Sequence, residues 1–120
     1  MICFVDVLDE SSVPTDVRVS EGGSCTLECQ ASGTPLPQVT WSRNGQSIQP
    51  SDRFVIESSA NGIHRLIIKN AQYSDAGMYT AIVKHKIQTQ NMNFNVVITG
   101  EKHHYSHSVT YRITIYWYYL

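Results

Sequence analysis

Short runs of alternating apolar and polar residues recur along most of this chain, and turn residues separate them. One run, SCTLECQA, places Cys25, Leu27 and Cys29 on one face of an extended strand and polar residues on the other. A period of two is typical of a strand with one buried face. No segment keeps a helical period. The pattern therefore predicts an all-β antiparallel sandwich or barrel with seven or more strands.

Turn signals divide the strands from one another. Asn44-Gly45 is a strong hairpin signal, and the stretch 60–62 (ANG) predicts a second turn. Pro35 and Pro37 cannot both donate to a strand ladder, so their segment is predicted to be a loop. The stretch 70–77 (NAQYSDAG) is predicted to form a corner rather than a hairpin.

Length and composition limit the function classes. A chain of 120 residues has room for one domain. Its formal net charge of -1 argues against nucleic-acid binding, which normally needs a basic stripe. No apolar run is long enough to span a bilayer. We therefore expect neither a nucleic-acid partner nor a membrane partner.

Motifs that carry catalysis are absent from the sequence. It contains no nucleophile elbow, no glycine-rich phosphate loop and no paired carboxylates. His103, His104 and His107 lie together, and a helix would bring His103 and His107 onto one face at metal-ligand spacing. The residues after them alternate like a strand, and no carboxylate or thiol motif accompanies them. We expect no enzymatic activity, no cofactor, no metal and no small-molecule substrate.

The cysteines favour a reducing compartment. Cys25 and Cys29 lie four residues apart, roughly 13 Å on an extended strand, whereas a disulfide needs Cα atoms within about 7 Å. The third cysteine is Cys3, and no Asn-x-Ser/Thr glycosylation acceptor occurs. The first ten residues, MICFVDVLDE, make a poor signal peptide because they lack a basic region and carry an early Asp6.

Four features together resemble an intermediate-set (I-set) immunoglobulin domain, a Greek-key β-sandwich. Cys29 stands where the core cysteine of the second strand belongs, and Trp41 follows it by twelve residues. Asp75-Ala76-Gly77 and Tyr79 match the corner motif of that fold. The resemblance covers Val13 to about Gly100.

The resemblance implies roles for particular residues. The partner cysteine is expected two residues after the corner tyrosine, where this chain has Ala81. Cys29 is then a buried free thiol beside Trp41, in a core that also contains Leu66 and Tyr79. The resemblance further implies a structural salt bridge between Arg53 and Asp75.

An I-set immunoglobulin domain that lacks the disulfide, as this chain does, resembles the immunoglobulin domains of giant muscle scaffolds such as titin, twitchin and the obscurin-like proteins. The resemblance implies a non-enzymatic cytoplasmic module of the sarcomere or cytoskeleton. Such a module would act as a spacer, a docking surface and a mechanical element with protein partners. Met78, Thr80 and Ile82 point away from the core on one strand and are the candidate protein-binding surface. Two alternatives remain open: a receptor or adhesion ectodomain that has lost its disulfide, and a domain flanking a muscle-type kinase.

The ends of the chain lie outside the resemblance. Residues 1–12 fit a first strand at the sandwich edge or a linker, and residues 13–100 form the predicted domain. The tail, 101–120, holds six of the twelve aromatic residues and alternates like a strand from Val109 to Ile115. Three interpretations fit the tail: an added strand or lead into a neighbouring domain, a segment translated from the wrong place, and a truncated membrane span. We favour the second interpretation, a tail not native to the domain.

Overall fold

A computed structural model describes residues 15–32, 37–86, 88–100 and 108–116. In this part of the chain, nine strands form one five-stranded and one four-stranded sheet, and a 3-10 turn spans Tyr73–Asp75. The predicted all-β sandwich is confirmed. The strands are β1 (Thr15–Ser20), β2 (Ser24–Ser32), β3 (Gln38–Arg43), β4 (Gln46–Ser47), β5 (Phe54–Ser58), β6 (Ile63–Ile68), β7 (Gly77–His85), β8 (Gln88–Thr99) and β9 (Ser108–Tyr116).

The strand order shows how the chain passes between the sheets. The five-stranded sheet has the order β1-β8-β7-β3-β4, and the four-stranded sheet has the order β5-β6-β2-β9. Strands β3–β4, β5–β6 and β7–β8 pair as antiparallel hairpins within a sheet. The chain changes sheet between β1 and β2, β2 and β3, β4 and β5, β6 and β7, and β8 and β9. Strand β1 pairs with β8 in parallel, although the two are far apart in sequence.

The Asn44-Gly45 turn forms as its sequence predicts. Both residues have positive φ, 49° and 83°, which the two-residue turn between twisted antiparallel strands requires. The Asn44 side chain also accepts a hydrogen bond from the Met78 backbone N–H at 3.0 Å. Gly77 lies so close that a Cβ there would stand 2.8 Å from Asn44 Nδ2. The hydrogen bond therefore holds the hairpin against the start of β7. The close approach of the Asn44 side chain to the backbone there requires glycine at position 77.

The inward faces of both sheets meet in one hydrophobic core. Trp41 from β3 and Phe94 from β8 have ring centroids 6.1 Å apart at an interplanar angle of 35°, a separation at which aromatic rings attract. The remaining members are also buried apolar side chains, which alternate along their strands except for Ala71 in the segment after β6: Val17, Val19, Cys25, Leu27, Cys29, Ala31, Leu66, Ile68, Ala71, Tyr79, Ala81, Val83, Met92, Val96 and Ile98.

Part of the tail is a strand of the sandwich. Strand β9 pairs in parallel with β2, in a register that runs from Ser24 opposite Ser108 to Ser32 opposite Tyr116. The interpretation of residues 101–120 as a tail not native to the domain stays a prediction. The segment 1–12 with Cys3, the loop residue Pro35, and the three tail histidines lie outside the described residues.

We predict that Phe94→Ala lowers the free energy of unfolding by about 3–5 kcal/mol, because it empties a fully buried site beside Trp41. Val97→Ala is the control, since Val97 lies on the same strand with 41% of its surface exposed. That change should stay within about 0.5 kcal/mol. Urea unfolding followed by tryptophan fluorescence measures both. Equal losses in the two variants would show that the core does not centre on these rings.

Candidate functional site

A charged corner joins the two sheets beneath the 3-10 turn. Asp75 is 1% exposed, and Arg53 donates to both of its carboxylate oxygens, at 2.7 and 3.0 Å. The Gln72 backbone N–H donates to the same carboxylate at 2.8 Å, and Arg43 lies 3.7 Å away. Two cations and a backbone donor thus surround one buried carboxylate, which satisfies its hydrogen-bonding capacity.

Tyr79 connects this corner to the core. Its ring is fully buried, and its hydroxyl donates to the Asp75 backbone carbonyl at 2.6 Å. Arg43 Nη1 donates to the same hydroxyl at 3.4 Å. The guanidinium groups of Arg43 and Arg53 lie 5.6 and 5.3 Å from the centroid of the Phe54 ring, within the range of cation–π attraction. The cluster therefore ties β3 and β7 of one sheet to β5 of the other.

Burial and charge pull the pKa of Asp75 in opposite directions. Desolvation raises it, but the hydrogen bonds from Arg53 and Gln72 and the charges of Arg53 and Arg43 together hold it below its usual value. Desolvation raises the pKa of Tyr79. Both groups are therefore in their ordinary charge states near neutral pH. The corner is a permanent ion cluster with no proton poised for transfer.

The centre of the core holds thiols without a disulfide. Cys25 and Cys29 are both free and buried, and burial raises the pKa of each to about 12. Cys29 Sγ lies 3.9 Å from the sulfur of Met92. Ala81 is fully buried and lies in register with Trp41 on the neighbouring strand. Thiols in this state are protonated at neutral pH and behave as small apolar groups.

The outward face of β7 carries the three candidate surface residues. Met78, Thr80 and Ile82 are half-buried rather than fully exposed, because β3 and β8 flank the strand on both sides. Thr80 Oγ1 donates to Asn93 Oδ1 at 2.8 Å. The face is mostly uncharged, with two apolar side chains set among amides and hydroxyls.

Neighbouring residues on β8, which are not among the residues predicted from the sequence, extend this surface. Asn91, Asn93 and Asn95 stand opposite Ile82, Thr80 and Met78. Their alternation along β8 was the signal that could have identified them. Val97, 41% exposed, continues the same row. We name the surface formed by Met78, Thr80, Ile82, Asn91, Asn93, Asn95 and Val97 the amide face.

Other features of the described residues offer little chemistry. A cleft of about 190 Å³ lies beside the β3–β4 hairpin and is lined by Arg43, Ile48 and Phe54 among others. No cluster of three or more metal-ligating side chains occurs in the ranges that the structure covers. Within the same ranges, the structure has no helix with the length and apolar character needed to cross a bilayer.

We predict that Asp75→Asn lowers the free energy of unfolding at pH 7 by about 2 kcal/mol, the usual size for hydrogen bonds to a charged group. Because the folded pKa of Asp75 lies below its unfolded value, its contribution is complete above the unfolded pKa of about 3.9. The contribution disappears as pH falls through the folded pKa. The difference between the two proteins should therefore shrink below about pH 4.

The control for this comparison is Asp52→Asn, since Asp52 is exposed and next to Arg53 in the chain. Urea unfolding between pH 2 and pH 7 measures all three proteins. A difference between the Asp75 variant and the parent that does not change with pH would contradict the assignment.

Comparisons with known proteins agree with this geometry. The family model described as "Immunoglobulin I-set domain" matches residues 10–98. Rat (Rattus norvegicus) palladin is 33% identical over 91 residues, which are 76% of this chain and 15% of palladin. Human (Homo sapiens) myotilin is 30% identical over 91 residues, 76% of this chain and 18% of myotilin. Chicken (Gallus gallus) smooth-muscle myosin light chain kinase is 40% identical over 67 residues, 56% of this chain and 4% of the kinase.

Solved structures show the same fold. Titin domain M7 has a TM-score of 0.67 at 24% identity, with 72% of this chain and 87% of that one covered. The titin M10–obscurin-like 1 immunoglobulin complex has a TM-score of 0.65 at 25% identity, with 75% and 91% covered. The chain spans less than a fifth of the length of the curated relatives named above. The family match confirms the resemblance found in the sequence, and the chain belongs to the immunoglobulin I-set domain family.

Proposed function

We propose that this chain is a non-enzymatic, protein-binding module of a modular cytoskeletal scaffold of the titin-like muscle class. Its similarity to palladin, myotilin and titin domains supports this assignment. The observation that carries the proposal is the core, in which Cys29 is free and Ala81 is buried on the facing sheet. A sandwich closed without a crosslink suits a reducing cytoplasm, where a disulfide would rarely persist.

The mechanical role follows from the pairing of β1 with β8. Six consecutive residue pairs hold these strands in parallel, from Thr15 opposite Phe94 to Ser20 opposite Thr99. A force applied near the start of β1 and the end of β8 pulls the two strands past each other. Their hydrogen bonds then share the load instead of opening one at a time. The fold itself supplies the resistance.

The docking role is assigned to the amide face. Protein interfaces place apolar side chains at the centre and polar groups around them, and Met78 and Ile82 stand among the asparagines of β8 in this way. The solved complex of titin M10 with an obscurin-like 1 immunoglobulin domain supports the idea that domains of this fold bind proteins directly. We expect a protein partner that presents an apolar centre bordered by hydrogen-bonding groups.

A second function is favoured by one relative. The match to smooth-muscle myosin light chain kinase has the highest identity of the three relatives named above. The chain would then be an immunoglobulin domain beside a kinase in its parent protein. The module would still be non-catalytic, and its surface would face the kinase rather than a filament protein.

We predict that reductant does not change the mechanical unfolding of the full chain. With handles attached at Thr15 and Gly100, single-molecule pulling should release the same contour length with and without reductant, because no disulfide closes a loop inside the domain. The unfolding force should also be unchanged. A shorter release under oxidising conditions would reveal a crosslinked loop and would favour the ectodomain alternative.

We predict that the amide face captures a specific muscle protein. Immobilised full chain should retain that protein from striated-muscle extract, and the double change Met78→Glu, Ile82→Glu should abolish retention. Lys69→Glu is the control, because it changes the net charge equally at an exposed position of the chain. Circular dichroism verifies that both variants fold. Retention of the same proteins by all three chains would exclude this face as the docking surface.

A further inference from the structure

Charged residues of alternating sign occupy aligned register positions on the four strands of the second sheet. Glu57 on β5 lies opposite Arg65 on β6, Arg65 lies opposite Glu28 on β2, and Glu28 lies opposite Arg112 on β9. Arg65 Nη1 is 3.9 Å from Glu57 Oε2, and Arg65 Nε donates to Glu28 Oε1 at 2.6 Å. The register therefore places four charged residues in the order negative, positive, negative, positive.

Glu28 is the unusual member of this row. Its neighbours Leu27 and Cys29 belong to the core, so Glu28 is on the outward face of the sheet. It is nevertheless only 1% exposed, although carboxylates on outward faces are normally solvated. A buried carboxylate is costly unless cations compensate it. The β2 edge consequently favours an adjoining strand that carries a positive charge opposite Glu28.

In the described part of the chain, strand β9 is the last strand in the order of the four-stranded sheet. Among the described strands, it pairs only with β2, in parallel, along nine residues. Parallel ladders are slightly weaker per residue than antiparallel ones. Eight residues separate Thr99, where β8 ends, from Ser108, where β9 begins. A connection of that length reaches roughly 27 Å when extended, so the strand can leave its own edge and reach that of a neighbouring molecule.

We infer that the edge of β2 is a peptide-strand binding site that selects a parallel strand with a cationic residue opposite Glu28. Strand β9 is its intramolecular ligand, and the same strand of a second copy of the chain is its ligand from outside. The occupant is a second copy because the pairing already present shows that this strand fits the edge in length, direction and register. Exchange of one terminal strand is a low-cost route to a dimer. The site is separate from the amide face, which lies on the other sheet.

A fluorescent peptide with the sequence of residues 108–116, SVTYRITIY, is the probe for this site. The peptide is titrated into the full chain, and fluorescence anisotropy reports binding. Two further peptides carry Arg112→Glu and Arg112→Lys. The native and lysine peptides should bind with similar affinity, and the glutamate peptide should bind about tenfold more weakly, because like charges placed together in an interface are strongly disfavoured.

Variants of the full chain separate the role of Glu28 from general stability. Arg112→Glu weakens the internal ligand and should make the native peptide bind more tightly. Glu28→Gln should remove the preference for the native peptide over the glutamate peptide. Arg18→Glu is the control, since Arg18 is exposed on β1 in the other sheet. It changes the net charge by the same amount as Arg112→Glu. Even if a variant fails to fold, the three peptides still test the parent chain.

Light scattering tests whether a second copy supplies the strand. At high concentration the full chain should form dimers. Excess native peptide should dissociate these dimers into monomers, whereas the glutamate peptide should not. The inference is overturned if the glutamate peptide binds as tightly as the native one. It is also overturned if the chain stays monomeric and binds no peptide.

Discussion

The packing of two sheets against each other without a covalent link is the constraint on which the structure depends. Trp41 and Phe94 pack together on the inward face of the five-stranded sheet, and Ala81 of that sheet and Cys29 of the other are both buried in the core between them. Because no disulfide restricts the unfolded chain, stability must come from apolar burial and from close packing. Each inward position therefore matters more than it would in a crosslinked sandwich.

The charged corner is a second connection between the two sheets, and it consists of ion pairs and hydrogen bonds rather than apolar contacts. Asp75, Arg53, Arg43 and Tyr79 satisfy one another at the end of the core, and their geometry fixes where β7 begins. A cluster of this kind specifies one arrangement of the strands, whereas apolar packing alone tolerates several. The core and the corner together explain how a small sandwich keeps a unique structure in the absence of a sulfur bridge.

The local parts of the fold could be predicted from the sequence, and the long-range parts could not. The Asn44-Gly45 turn and the two faces of β2 follow from residue types and from a period of two. The parallel pairing of β9 with β2 and the burial of Glu28 depend on which distant strand adjoins an edge. No local pattern encodes that choice. The same limit applies to the amide face, since Asn93 and Asn95 become neighbours of β7 only through register.

The measurement that tests the central claim most directly is equilibrium unfolding of the full chain in urea under oxidising and under reducing conditions, combined with mass-spectrometric counting of alkylated thiols. Cys25 and Cys29 are free and buried, so we expect the same unfolding midpoint in both conditions. We also expect all three cysteines of the sequence to be alkylated after denaturation. A midpoint that falls when reductant is added, together with two cysteines missing from the count, would contradict the account.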